Sequence, residues 1–371
     1  MITISLCMIV KNEEDVLERC LSSVKNIVDE INIIDTGSID KTKEIAAQYT
    51  DRIFDFEWID DFSAARNFSF KQATKDYILW LDADDILLEK DQDKLIQLKK
   101  ESNPSFDAVL MDYHLSFDEN ENVTFSVKRH RLLKRERQFR WIGAVHEYVA
   151  VNGQIIDSDI AVTHHSLHHD SDRNLRIYEK RLAQEESFSP RDLFYFANEL
   201  TDHHMYERAV FFYEKFLATE QGWIEDNIAA CGKLASCYSE LDQPEKELES
   251  ILRSFRYDRP RPELCCKLGY HFLQKGEIHT AVFWYELATQ PNQSQMGFVN
   301  TAYHTWLPHI QLCVCFDRLG DYVAAYHHNQ IAEKYRPTDP NVLHNKRYLE
   351  PIIQQLKRNK QVNDNEETPS E

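Results

Sequence analysis

Two aspartates separated by one residue close a hydrophobic run in WLDADDIL (80–87), and they are the first groups in this chain able to do chemistry. On an extended strand Asp82 and Asp84 project to one face. At a strand end they can flank a hard divalent cation, Mg2+ or Mn2+, which takes oxygen ligands and bridges phosphate oxygens. A strand-to-turn corner with solvated acids explains the triplet equally well. IIDTGSIDKT (33–42) ends another apolar run on Asp35, free to accept from a ligand N–H, and Asp40 can cap the helix that follows. In WIDDFSAARNFSF (58–70), Asp60 or Asp61 starts a helix and Arg66 follows, either as a phosphate partner or in an internal ion pair.

The stretch KRHRLLKRERQFRWIGAVHEYV (128–149) concentrates cations in an otherwise acidic chain. A solvated basic strand pair is the ordinary reading. Beside an acidic cluster, the same charge helps hold an anionic donor or leaving group. His146 and Glu147 follow its glycine turn, and a glutamate there can serve as general base. AVTHHSLHHD (161–170) brings His164, His165, His168 and His169, any of which could complete a metal site begun by the DAD triplet; otherwise it is a histidine-rich polar loop.

These residues must be positioned by elements of two kinds. Up to about residue 115 short apolar runs (ITISLCMIV, EINIIDT, DRIFDF, YILWLDA, AVLMDYHLSF) alternate with amphipathic helices. That rhythm predicts a largely parallel sheet covered on both faces, with ligands beyond the carboxyl ends of its strands. Asp35 and Asp82 stand at two such ends. From Ser189 onward helix follows helix, and small residues recur ahead of aromatic ones: Ala209 with Tyr213, Gly269 and Ala281 with Tyr285, then Ala325. This is the pattern of tetratricopeptide-like hairpins, about four of them, which present a surface to partners. The predicted domains are 1–170 (α/β), 171–188 (a connecting helix), 189–350 (all-α repeats) and 351–371 (an acidic tail, partly disordered).

Composition narrows the function. A net charge of -19 argues against a general nucleic-acid binder. No stretch reaches the ~20 apolar residues of a membrane helix, and the N-terminus lacks the basic region of a signal peptide. Eight cysteines in apolar runs, without paired metal spacing, read as reduced thiols of a cytoplasmic protein.

In their order, NEE (12–14), IDTGSIDKT, DFSAARN, WLDADD, RWIGAVHE and the histidine at 164 resemble the family 2 glycosyltransferases of GT-A fold. More narrowly, they resemble the branch with tetratricopeptide repeats that includes the sublancin-type peptide S-glycosyltransferases. The likeness covers residues 2 to 340. It implies a Rossmann-like mixed sheet followed by helical repeats, a UDP-sugar donor and a divalent metal. It puts Asp35 and Asp61 near the base and ribose, supported by Glu13 and Arg66. Asp82 lies toward the ribose and Asp84 on the metal, with His164 on the metal or the diphosphate. Glu147 is the base, and His146 lines the same cleft. Relatives often follow the histidine with Gly-Tyr; here the chain reads HSLHHD, which leaves the other histidines in play.

The function implied is a metal-dependent inverting transfer of a sugar, glucose first, from a UDP-sugar to a Cys or Ser side chain of a peptide or protein engaged by the repeats. The alternatives are transfer to an envelope glycan or lipid-linked saccharide, and a non-catalytic repeat scaffold on a degenerate nucleotide-binding domain. A homo-oligomer stays open.

Overall fold

Strand β1 (Ile4–Val10) is apolar at almost every position because both of its faces are covered. Its neighbours follow in parallel: β2 (Glu30–Asp35) on one side and β4 (Tyr77–Trp80) on the other, with β3 (Ile53–Asp55) beyond β2. The structure, a computed structural model, describes residues 1–100, 105–118, 121–165, 172–290 and 299–366. Helices α1 (Leu17–Val24), α2 (Thr42–Ala46) and α3 (Phe62–Gln72) connect these strands. The short β5 (Asp85–Ile86) and α4 (Glu89–Lys99) come next.

Beyond β4 the sheet turns mixed. It continues through β7 (Val123–Lys134), β6 (Ala108–Phe117), β10 (Ile155–His164) and β5, with β7 antiparallel to both β4 and β6. A separate hairpin of β8 (Arg140–Ile142) and β9 (Tyr148–Ala150) carries Gly143 to Glu147 at its turn. Val10 pairs with Asp35 and Cys7 with Trp80, so three parallel strands end on one edge. That edge gathers Glu13, Asp35 and Asp82.

The chain divides into two compact units, residues 1–222 with 295–299, and residues 223–294 with 300–371. The helical rhythm begins earlier than that division. Helices α5 (Arg173–Ala183), α6 (Pro190–Asp202) and α7 (Tyr206–Leu217) belong to the first unit. Aromatic packing of Tyr178 on Phe196 and of Phe196 on Phe212 ties them together. The second unit stacks the hairpins α8 (Ile224–Glu240) with α9 (Pro244–Arg253), α10 (Pro262–Gln274) with α11 (Ile278–Ala288), and α12 (Trp306–Arg318) with α13 (Tyr322–Tyr335). The α6–α7 hairpin makes a fourth.

Helix α14 (Pro340–Glu366) runs into the segment expected to be a partly disordered acidic tail. Val342, Leu349 and Ile353 are buried on its first turns, and a helix anchored that way extends cheaply once nucleated. Among the described residues, no helix is long and apolar enough to cross a membrane.

Gly269 shows why the repeat pattern needs a small residue. A Cβ added there would lie 2.7 Å from ring carbons of Tyr285 on the partner helix. Gly269→Ala is therefore expected to lower stability by about 1–3 kcal/mol, read by chemical denaturation.

In the first unit, Glu30 joins three parallel strands. Its carboxylate accepts from Ser5 Oγ at 2.7 Å, Asn32 Nδ2 at 2.9 Å and the Thr74 backbone N–H at 3.0 Å. Burial pushes this carboxyl up, but the donors from Thr74, Asn32 and Ser5 outweigh it and hold its pKa at about 2, against 4.5 for the free side chain. A depressed carboxylate stabilises above its unfolded pKa, and that stability is lost as pH falls toward the folded one. Acid unfolding of the wild type should therefore lose stability relative to Glu30→Gln between about pH 4.5 and pH 2.

Candidate active site

Arg66 is the hub of the edge where the strands end. Asp61 caps α3, its Oδ1 accepting from the Ala64 backbone N–H at 2.9 Å and from Ser63 Oγ at 2.8 Å. The helix so started delivers Arg66 into the interior, where the guanidinium is only 8% exposed. Its Nη2 donates to Asp82 Oδ1 at 2.6 Å and its Nε to Glu147 Oε1 at 2.5 Å. Trp80 and Trp141 face it at 5.0 and 4.8 Å. One cation thus bridges the first DAD aspartate and the VHE glutamate, residues 65 positions apart in the chain.

The VHE turn is held from two sides. Asn67 clamps it from α3, giving Nδ2–H to the Trp141 carbonyl and accepting the Trp141 N–H, both at 2.9 Å. From α6, Glu199 Oε1 lies 2.7 Å from His146 Nε2, and Arg191 Nε donates to the His146 carbonyl at 3.0 Å. The His146 ring stacks on Tyr195 at 4.3 Å. These partners hold His146 at φ 51°, a left-handed conformation that a lone non-glycine residue avoids. His146 is thus engaged by Glu199, a residue that the sequence reading did not single out.

The second DAD aspartate faces another way. Thr163 pairs with Ile86 and His164 with Asp85 across β10 and β5, a register that sets His164 Nδ1 3.4 Å from Asp84 Oδ1. Tyr113 OH lies 3.0 Å from the same ring nitrogen. Asp84 and then Asp85 push the His164 pKa up to about 10. Glu13 is raised to about 7, by burial first and then by Asp84 and Asp82. Asp82 itself is held below the usual range: burial works against it, but Arg66 and Arg131 prevail. The edge therefore holds two groups: Asp82 and Glu147 sharing the one cation of Arg66, and Glu13 with Asp84 beside His164. Oxygen and imidazole donors around excess negative charge suit a divalent cation, and Asp84, Asp85 and His164 place ligand atoms within 4.8 Å of one another.

Asp35 is not the open acceptor that its position suggested. It is 1% exposed, and its Oδ1 accepts the N–H groups of Gly37 and Ser38 at 3.0 Å each. Its Oδ2 is buried without a partner, leaving one oxygen for a donor to satisfy. Of the loop histidines, His165 docks on Arg19, while His168 and His169 lie outside the described residues.

Asp85, whose neighbour Asp84 drew the attention, carries a different burden. It is fully buried, as is Arg131 from β7, whose Nη1 lies 3.0 Å from Asp85 Oδ2. Asp85 Oδ2 also accepts the Asp82 backbone N–H at 2.9 Å, so this pair shapes the DAD turn. Trp80 and Tyr113 sandwich the guanidinium at 3.8 and 4.3 Å. Arg131 sits at a register shift in the pairing of β7 with β6, between Leu132 and His130, and a run of cations gave no sign of which one would be buried.

Residues 5–179 match the family model described as glycosyl transferase family 2. Those residues form a family 2 glycosyltransferase domain. A TPR repeat-containing protein of Synechococcus elongatus is 51% identical over 24% of this chain and 22% of its own length. The SPbeta prophage-derived glycosyltransferase SunS of Bacillus subtilis is 28% identical over 53% of this chain and 49% of its own. The chain thus spans half or less of the length of these curated relatives. A solved tetratricopeptide repeat protein from Parabacteroides merdae is 14% identical, with a TM-score of 0.38 over 51% of this chain and 69% of that one. The glycosyltransferase domain holds the whole acidic edge, Glu147 included, while Glu199 and Arg191 reach it from beyond the matched residues.

Arg131→Met is expected to cost about 3–5 kcal/mol, because buried Asp85 loses its guanidinium partner. Adding Asp85→Asn should recover part of that loss, measured by denaturation of the two single variants and the double.

Proposed function

We propose that this protein is a metal-dependent inverting glycosyltransferase that moves glucose from UDP-glucose to a Cys or Ser side chain of a peptide or protein. The observation that carries the reading is a juxtaposition at the strand ends: Glu147, fixed by Arg66, stands with a cluster of Asp84, Asp85 and His164 whose ligand atoms lie within 4.8 Å of one another. A divalent metal bound by Asp84 and His164, with Asp82 alongside, would supply the charge that stabilises the departing diphosphate.

The chain's own residues supply the rest. Arg66 orients Glu147, which takes the proton from the acceptor thiol or hydroxyl as it attacks. His146, held by Glu199 and Arg191, fixes the turn that carries this base. Asp35 offers its unsatisfied Oδ2 to the nucleoside, and Asp61 acts by starting the helix that bears Arg66. A single base opposite the leaving group gives one in-line displacement and hence inversion at the anomeric carbon, by the geometry argued for glycosidases.

The helical hairpins of residues 189–350 favour an extended peptide as acceptor, since such stacks present long surfaces to partners. None of the eight cysteines is in a disulfide, which supports action in the reducing cytoplasm.

Glu147→Gln should lower transfer of labelled glucose by about 10^2- to 10^4-fold while UDP binding persists. EDTA or Asp84→Ala should abolish metal-dependent turnover. The reading is overturned if the full chain neither binds UDP nor transfers or hydrolyses any common UDP-sugar in the presence of Mg2+ or Mn2+.

A further inference from the structure

The turn that bears Glu147 contains a strained residue, and two helices hold it in place. Gly143 stands at φ 101° and His146 at φ 51°, a left-handed backbone that a residue with a side chain keeps only where its surroundings enforce it. Helix α3 secures the first half of the turn. The Phe62 N–H donates to the Ala144 carbonyl at 2.9 Å, and Asn67 brackets Trp141. Helix α6 secures the second half. Arg191 Nε donates to the His146 carbonyl at 3.0 Å, Tyr195 stacks on the His146 ring at 4.3 Å, and Glu199 Oε1 lies 2.7 Å from its Nε2.

Glu199 is an odd residue for the helix that supplies it. It is 7% exposed and stands between Ala197 and Leu200, both fully buried, where a carboxylate is costly unless it is paired. Its Oε1 also accepts from Asn174 Nδ2 of α5 at 3.2 Å. Among the described residues its side-chain hydrogen bonds thus run to the VHE turn and to α5, not to the hairpin partner α7. The donor side of the edge is built separately: Asp82 is met by Arg66 of α3, and Asp84 lies against His164 of β10. Loosening α6 from the turn would therefore displace Glu147 and leave those two contacts standing.

We propose that Glu199 is a positioning residue for the chemical step: through His146 it keeps Glu147 in reach of the acceptor. Helix α6, which begins beyond the matched residues 5–179, is then a working part of the active site. This rests on the glycosyltransferase reading above and deepens it. A base displaced by about 1 Å can lose about 100-fold in rate, with donor binding unaffected.

Hydrolysis of UDP-glucose by the full chain with Mn2+ tests it, water standing in for the acceptor, together with UDP calorimetry and chemical denaturation. Glu199→Leu is expected to lower kcat by about 10- to 100-fold, with UDP affinity and the KM for UDP-glucose within about twofold of the wild type. Its unfolding midpoint should not fall, because leucine fills similar space without a buried charge. Glu199→Gln, whose amide oxygen still accepts from an Nε2–H, should restore kcat to within about threefold of the wild type. Unaltered kcat in Glu199→Leu overturns the proposal. So does a parallel loss of kcat, UDP affinity and stability, or a glutamine variant no better than the leucine one. Should Glu199→Leu lose its unfolding transition, Arg191→Met decides, since it cuts the other bond from α6 to His146. A fall in kcat at constant UDP affinity then supports the proposal, and unaltered kcat overturns it. A wild type that neither binds UDP nor hydrolyses UDP-glucose removes the transferase reading itself, whereas an active wild type with an indifferent Glu199→Leu removes this proposal alone.

Discussion

A buried arginine between two carboxylates organises this acidic edge. Arg66 is nearly excluded from water, so its charge has to be met by the protein, and Asp82 and Glu147 meet it at 2.6 and 2.5 Å. Burial of such a triad is costly unless each member is paired and hydrogen-bonded. The indoles of Trp80 and Trp141 supply the remaining contact. The geometry of three separate elements, the cap of α3, the end of β4 and the turn after β8, must then agree for one ion to be satisfied. That requirement holds the DAD aspartate and the VHE glutamate at a set separation.

A second buried pair, Arg131 with Asp85, does for the DAD turn what Arg66 does for its rim. Asp85 Oδ2 is engaged by Arg131 and the Asp82 N–H, while its Oδ1 has no hydrogen-bond partner among the described residues and lies 3.7 Å from His164 Nδ1, beside Asp84. The two ion pairs thus sort three adjacent acids by role. Asp82 meets Arg66 and Asp85 meets Arg131, while Asp84 lies against His164. The opening question of such a cluster, metal site or solvated corner, is answered by which of its members already have a cation.

The helical region is also more than an appendage. Helix α6 reaches back to the VHE turn through Glu199, Tyr195 and Arg191, and it packs with the sheet in the first compact unit. Its capping box at Ser189 and Asp192, with Pro190 at the first turn, is plain in the sequence and starts the helix where the rhythm changes. Which way the helix then faces is not encoded locally.

Strand and helix order up to about residue 115, the carboxyl-end acids and the small-residue positions of the repeats were legible from residue type and spacing, because each depends on a local period of two or 3.6 residues; Glu147 was singled out by the family resemblance. Gly269 was legible as a small residue of the repeat pattern, and the fold shows it against Tyr285. The partners of those residues were not legible. Arg66 pairing with Glu147, Arg131 with Asp85, His146 with Glu199 and His164 with Asp84 join positions 46 to 81 residues apart. Such pairings follow from sheet order and strand register, which only the folded chain defines. The sequence by itself determined which groups stand at the strand ends. Tertiary structure decided which of them are neutralised and which keep charge for a ligand, because in a low-dielectric interior the nearest counter-ion, not the motif, sets the state of a carboxylate.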